Sequence, residues 1–358
     1  MTDSDYPAPG RGSYHQFGRL AVDPELTRFV VRLVLFLFVL AVILVRPPLS
    51  DDTHPVIDPL AANSDLLIPN DNDKHELLLV EARECASIID FLATLDLWEM
   101  EVEQPLPPLV FTAFPDDLDE LEVSIRKRLF LHTLAPTAMV ALAEVAHERA
   151  ELLRLIGRME FNGCSLAKLV AAKVAPRDCG LEPLEQEFLV DLSTRYRTEN
   201  LDVLLNRVDV LPLSLILAQA AMESAWGTSR FVQEGNNIFG IWTWGSEGMV
   251  PANRTPGMTH RVAAYDSLLD SVRAYLLMIN RVSAYSTLRE IRRETRDPLA
   301  LIKGLRYYSE KRELYVADLG RIIRGNRLQR YDGLTLALNP AEIKEQLARE
   351  SLRLTRLD

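Results

Sequence analysis

One carboxylate in this chain stands where an acid is hard to explain without chemistry. Residues 213–244 read LSLILAQAAMESAWGTSRFVQEGNNIFGIWTW. The first part spells a helix so apolar that it must be buried, and Gln219 and Glu223 stand out in it. At i,i+4 the two share one face. Burying a carboxylate in its charged form is expensive. Burial raises its pKa, and the partial negative charge at a helix C-terminus pushes the same way. A carboxyl kept neutral is what a general acid needs in order to protonate a glycosidic oxygen. Trp226, just beyond the helix, and the small Gly227 suit the wall of a sugar-binding cleft. The competing reading is a buried Glu tied to a backbone N–H or to a cation such as Arg230.

The elements that must position this segment are mostly helical. Apolar residues recur at helical spacing over residues 75–97, then, after a Pro-rich joint at 105–108, over 118–159, where Pro136 predicts a kink or a new start. A helix is expected over 183–198 and another from Pro212, a suitable first-turn residue. Residues 241–265 are rich in Gly, Asn and Pro and predict short strands with turns. Helix resumes at 267–280 and at 313–324, and residues 336–358 predict a C-terminal helix. The expected fold class is mainly α (α+β): a helical domain with a small β-lobe at 186–335, preceded by a helical membrane-proximal domain at 76–185.

Ahead of these, residues 29–45 read FVVRLVLFLFVLAVILV. Seventeen residues of helix reach roughly 25 Å, enough to span a bilayer core with snorkelling flanks. The segment ends in Val45-Arg46-Pro47-Pro48, a poor cleavage site, so an uncleaved anchor at 29–46 is expected. Arg28 and Arg32 on its N-terminal side, and the acidic run after Arg46, favour a cytoplasmic tail at 1–28 and an exported body. The reading is a single-pass protein of the cytoplasmic (inner) membrane facing the periplasm. Residues 47–75 are rich in Pro, Asp and Asn and read as a tether.

The 358 residues carry 40 Lys and Arg against 51 Asp and Glu, a net charge of −11. That balance argues against nucleic acid, which needs a basic face. Of three cysteines, Cys164 and Cys179 are spaced so that they can bridge, and three free thiols with Cys85 is the alternative. No CxxC pair occurs, and His132 and His147 are not spaced as a metal pair, so neither a metal nor an organic cofactor is expected.

The motifs carry a resemblance. Glu223, Ser224, Trp226, Gly227 and Ser229 match a block of the form E-S-G-W-G-x-S. Asn237, Phe239, Gly240 and Ile241 match N-x-F-G-I. Tyr308-Ser309-Glu310 and Tyr315 stand where a Y-A-T-D-x-x-Y block is expected. Residues 76–335 thus resemble the Bax-type subgroup of the glucosaminidases, family 73 of the glycoside hydrolases in the lysozyme superfamily. The resemblance implies hydrolysis of the β-1,4 bond between N-acetylglucosamine and N-acetylmuramic acid in peptidoglycan glycan strands. Glu223 is then the proton donor, Tyr308 lies beside it, and Asn237 and Phe239 shape the cleft floor. Tyr315 looks more like core than site.

Two departures follow. Many members carry a second acid in the β-lobe. Glu247 is the candidate here, Asp266 and Glu310 are further ones, and otherwise the substrate's own N-acetyl oxygen acts as nucleophile. Ala225 replaces the usual Gly, a change tolerated if the backbone there is helical. Arg261 and Arg254 are candidates for binding a lactyl or peptide carboxylate. Lytic transglycosylase cleavage and a catalytically inactive wall-binding module are the alternatives.

Overall fold

The computed structural model describes residues 77–99, 105–172, 179–245, 247–251, 254 and 257–336. The expected anchor at 29–46, the tether at 47–75 and all but the first residue of the helix expected at 336–358 lie outside the described residues.

The described chain opens on strand β1 (Leu78–Val80), not on the helix expected from residue 75. Leu78, Leu79 and Val80 pair in parallel with Leu109, Val110 and Phe111 of β2 (Leu109–Phe111), and all three β2 residues are buried. Strand pairing overrides the helical spacing there. Helix α1 (Cys85–Thr94) begins only after Glu84, with the Cys85 N–H donating to Asp117 Oδ1 at 2.9 Å.

Helix α2 (Val123–Phe161) runs through Pro136 without a new start. The ring removes one helical hydrogen bond. The turn is held from outside instead: the Phe111 N–H donates to Thr137 Oγ1 at 3.1 Å, and Thr137 itself bonds back to the Thr133 carbonyl at 3.3 Å. Its apolar stretch is long enough to cross a bilayer but is packed inside the protein.

Next come α3 (Leu166–Ala172), α4 (Pro183–Tyr196) and α5 (Leu201–Arg207). Cys164 and Cys179 form a disulfide, with Cα atoms 5.2 Å apart, and Cys85 is buried and free. Then follow α6 (Leu213–Glu223), α7 (Arg230–Gly235), the strands β3 (Trp242–Thr243) and β4 (Arg261–Val262), α8 (Leu268–Arg281), α9 (Ser286–Glu294), α10 (Pro298–Leu301) and α11 (Glu313–Gly325). β3 and β4 run antiparallel, with Trp242 opposite Val262 and Thr243 opposite Arg261. The fold is mainly α with one small β-lobe.

Two apolar cores form. The larger joins Ile88, Phe111 and Phe130 to Leu217, Phe239, Tyr275 and Ile323. The smaller joins Leu152 and Leu155 of α2 to Leu189, Leu192 and Leu204. Each core draws on chain from both sides of residue 185, so the segment before the site helix packs as part of its support.

Candidate active site

Helix α6 is buried from Leu213 to Ala221. Asp332 fixes its first turn, accepting from the Ser214 N–H at 2.8 Å and the Ser214 hydroxyl at 2.7 Å. At its other end the chain leaves the helix abruptly. Ala225, Trp226 and Gly227 have φ of 52°, 60° and 85°. Ser224, fully buried, ties this turn down: its hydroxyl donates to the Ala220 carbonyl at 2.6 Å and accepts from the Gly227 N–H at 2.9 Å. Gly227 is required, because a Cβ there would lie 2.7 Å from Leu118 and 3.2 Å from Phe130. The backbone at Ala225 is left-handed rather than helical, so the condition under which Ala would replace Gly freely is not met. A side chain in that region costs about 1 kcal/mol.

Glu223 closes α6 and is half-buried. Burial pushes its carboxyl above the usual range, against two smaller opposing effects: a hydrogen bond from Tyr315 and the field of the Lys311 ammonium. Among the described residues no carboxylate bears on it. Arg230, the cation considered as a partner, pairs with Glu234 at 2.9 Å instead. Gly240 lies against the acid, and a Cβ there would stand 3.9 Å from Glu223 Oε2.

The surroundings of Glu223 are phenolic. Tyr275, Tyr285, Tyr308 and Tyr315 are all pushed up in pKa, first by burial and in each case also by the negative charge of Glu223. Tyr308 stacks on Tyr315 with ring centres 5.5 Å apart, and its hydroxyl donates to the Phe239 carbonyl at 2.8 Å. Gln219 is wholly buried. Its carbonyl oxygen accepts from the Tyr275 hydroxyl, and its Nε2 donates to the Tyr315 oxygen at 2.9 Å. The Tyr315 hydroxyl also bears on Glu223, where it opposes the rise in the carboxyl's pKa. Tyr315, expected as core, is buried and also bonded to the acid.

Several expected substrate contacts are supports. Gln219 faces two tyrosines, with both amide atoms occupied, and does not reach solvent. Asn237 is buried, donating to the Ile241 and Ala263 carbonyls at 2.9 and 2.8 Å and accepting from the Ile241 N–H at 2.9 Å, and so staples the β-lobe to the body. Phe239 is buried and stacked on Tyr275 at 4.0 Å, a floor beneath the site rather than its surface. Trp226 packs edge-on against Phe130, ring centres 5.6 Å apart, with Lys127 Nζ 4.7 Å from its ring centre. Arg261 donates to the Gly248 carbonyl at 3.1 Å, and Arg254 to the His260 carbonyl at 3.3 Å. Glu247 is exposed in the β-lobe, and Asp266 and Glu310 are exposed as well.

A family model described as glucosaminidase, mannosyl-glycoprotein endo-beta-N-acetylglucosaminidase, matches residues 198–328. The chain carries a glucosaminidase domain. Every site residue expected from the sequence lies within it, and so do the four tyrosines around Glu223. The domain is narrower than the stretch expected from the motifs, and α2, which supports Trp226, lies outside it. Protein bax of Escherichia coli (strain K12) is 28% identical over 196 residues, covering 53% of this chain and 66% of that protein. The chain thus spans just under two thirds of that relative's length. The solved catalytic domain of the autolysin Auto from Listeria monocytogenes shares 22% identity, covers 45% of this chain and 92% of its own, and superposes with a TM-score of 0.28.

The glucosaminidase domain contains two site neighbours that the motifs did not indicate, Tyr275 and Tyr285. They come from α8 and the turn after it, far from Glu223 in sequence. The one available signal was a tyrosine on the buried face of an amphipathic helix, which ordinarily marks core.

Proposed function

We propose that this domain hydrolyses the β-1,4 bond between N-acetylglucosamine and N-acetylmuramic acid in peptidoglycan, with Glu223 as general acid. The observation that carries the reading is a carboxyl pushed up by burial, paired with no cation among the described residues and opposed only by a tyrosine hydroxyl and the field of Lys311. Burial favours the protonated form of such a group, which gives its proton to the glycosidic oxygen as the C1–O bond breaks. Because no carboxylate of the described residues bears on Glu223, the substrate's N-acetyl oxygen is the favoured nucleophile at C1. Water then opens the cyclic intermediate, losing its proton to the Glu223 carboxylate. Glu247 as base for a direct water attack is the competing route. The tyrosines hold the carboxyl and exclude water, and Tyr308 fixes the Phe239–Gly240 backbone alongside it.

Digestion of purified peptidoglycan, read by mass spectrometry, tests this. Reducing N-acetylglucosamine ends from the wild type and none from Glu223→Gln are expected. Anhydro-muramyl ends mean transglycosylation instead. Equal, negligible release by both proteins, with retained wall binding, means a binding module.

For location, the apolar segment at 29–45 supports a single-pass anchor in the cytoplasmic membrane with the domain on the periplasmic side. A reporter fused after Asp358 is then active only outside the cytoplasm, and cytoplasmic activity overturns the orientation.

A further inference from the structure

The β-lobe displays an aromatic face that the acid chemistry leaves unused. Side chains alternate along β3: Thr243 is buried, whereas Trp242 and Trp244 are 51% and 70% exposed. Continuing the β3–β4 register by one residue sets His260 across from Trp244. The Trp242 ring lies flat on the His260 imidazole, centres 4.4 Å apart and planes 8° from parallel. His260 is itself buried, and its Nδ1 has no hydrogen-bond partner among the described residues. One face of the indole is therefore backed and held, and the other is left to solvent.

Two neighbouring tryptophans in water mark a surface that something covers. Position says what. Trp242 follows Gly240 by two residues, and Gly240 borders the Glu223 carboxyl, so the chain runs from the acid directly into the aromatic face. Arg254 donates to the His260 carbonyl beside it and forms no ion pair among the described residues.

We propose that Trp242, backed by His260, is a stacking platform for a pyranose ring of the glycan strand next to the bond that is cut, with Trp244 extending it. This rests on the glycan-cleaving reading above and adds where the strand is held. A β-linked N-acetylhexosamine presents a flat face of C–H groups, which fits the electron-rich face of an indole. Arg254 suits a lactyl or peptide carboxylate of a wall glycan.

Binding is measured on the full-length Glu223→Gln protein by calorimetric titration with the tetramer of β-1,4-linked N-acetylglucosamine, and by pelleting with purified peptidoglycan. Trp242→Ala weakens tetramer binding about tenfold, while Trp242→Phe, which keeps a stacking ring, stays within about threefold. Trp244→Ala, at the more exposed position, provides a second variant with a smaller loss of about threefold. In the cleaving protein Trp242→Ala raises KM more than it lowers kcat. If Trp242→Ala and Trp244→Ala bind like their parent while the wild type cleaves, the platform is wrong and the hydrolase reading stands. Wild-type binding without cleavage, lost in Trp242→Ala, leaves the platform and removes the hydrolase. Unchanged glycan binding with lost binding to anionic phospholipid vesicles assigns the face to a membrane and overturns the proposal, as does a wild type that binds no glycan.

Discussion

Asp209 and Glu223 flank the buried helix α6, and their surroundings differ in kind. Asp209 is enclosed by guanidiniums: Arg296 bonds both of its oxygens at 3.0 and 2.8 Å, with Arg292 at 3.5 Å and Arg149 at 3.7 Å. The same arginines cap helix ends. Arg149 donates to the Leu205 and Val208 carbonyls, and Arg292 to those of Asn206 and Asp209. Nearby, Arg289 takes the Ile279 and Val282 carbonyls at the end of α8. The Asp209 carboxylate is answered by three cations, as a buried charge must be if it only holds structure. Glu223 is offered the Tyr315 hydroxyl and, among the described residues, no ion-pair partner. A protein able to neutralise one carboxylate with three arginines has left another without one, and that contrast separates scaffold from chemistry.

The largest expected break of this contrast is Glu223→Gln. Glycan cleavage falls about 10³-fold, the usual contribution of a general acid. Stability moves the other way. The folded pKa lies above the ordinary 4.5, so the charged form is disfavoured by folding. Wild-type stability is full below that value and declines as pH rises through the folded pKa. Glu223→Gln removes the decline, so its melting temperature exceeds the wild type's above the folded pKa and matches it near pH 4. A mutant less stable than wild type at neutral pH means that Glu223 is a structural group like Asp209.

Asp209→Ala gives the opposite pattern. It strands Arg149, Arg292 and Arg296 around a void and destabilises the protein by about 3 kcal/mol. Chemical denaturation measures this, and a loss under about 1 kcal/mol shows the cluster to be solvated.

The two regions were unequally legible in the sequence. Glu223 was conspicuous because a lone carboxylate closes an apolar helix, and its motif blocks were local. Asp209 carried no signal, since Arg149, Arg292 and Arg296 arrive from other helices. The same holds for the phenolic cage. Only the Gln219–Glu223 spacing hinted that both side chains face one partner, and that partner proved to be Tyr315 rather than substrate. Asn237 was found by its motif, and its amide bonds to the Ile241 and Ala263 backbone came from the fold alone, because a motif marks a constrained position without saying what constrains it. The helices at 183–198, 267–280 and 313–324 stand within a few residues of their expected bounds. Residues 78–80 do not, because a parallel partner distant in sequence leaves no mark in local spacing.

A smaller effect sharpens the account of Glu223. Tyr315→Phe removes the hydrogen bond that holds its pKa down, leaving burial less opposed. The pH above which kcat/KM falls then moves upward. Gln219→Leu frees the Tyr315 hydroxyl to rotate and moves the same limb in the same direction by less. In the Tyr315→Phe background it adds nothing, because Gln219 acts through that hydroxyl. Additive shifts in the double mutant show instead that Gln219 touches the acid by another route.

The smallest effect tests the backbone that turns away from the acid. Ala225 holds a left-handed φ of 52° and is exposed, so its methyl contributes strain and little packing. Ala225→Gly relieves about 1 kcal/mol of that strain in the folded state, and the greater freedom of glycine in the unfolded chain returns part of it. The net expectation is a stabilisation of a few tenths of a kcal/mol, read as a higher denaturation midpoint at unchanged denaturant slope. Activity stays the same, because Ser224 and Gly227 still anchor the turn. A loss of cleavage at equal or higher stability means that the strain at Ala225 is what aims Glu223. The tightness of this turn would then belong to the chemistry, whereas the arginine cluster at the other end of α6 belongs to the fold alone.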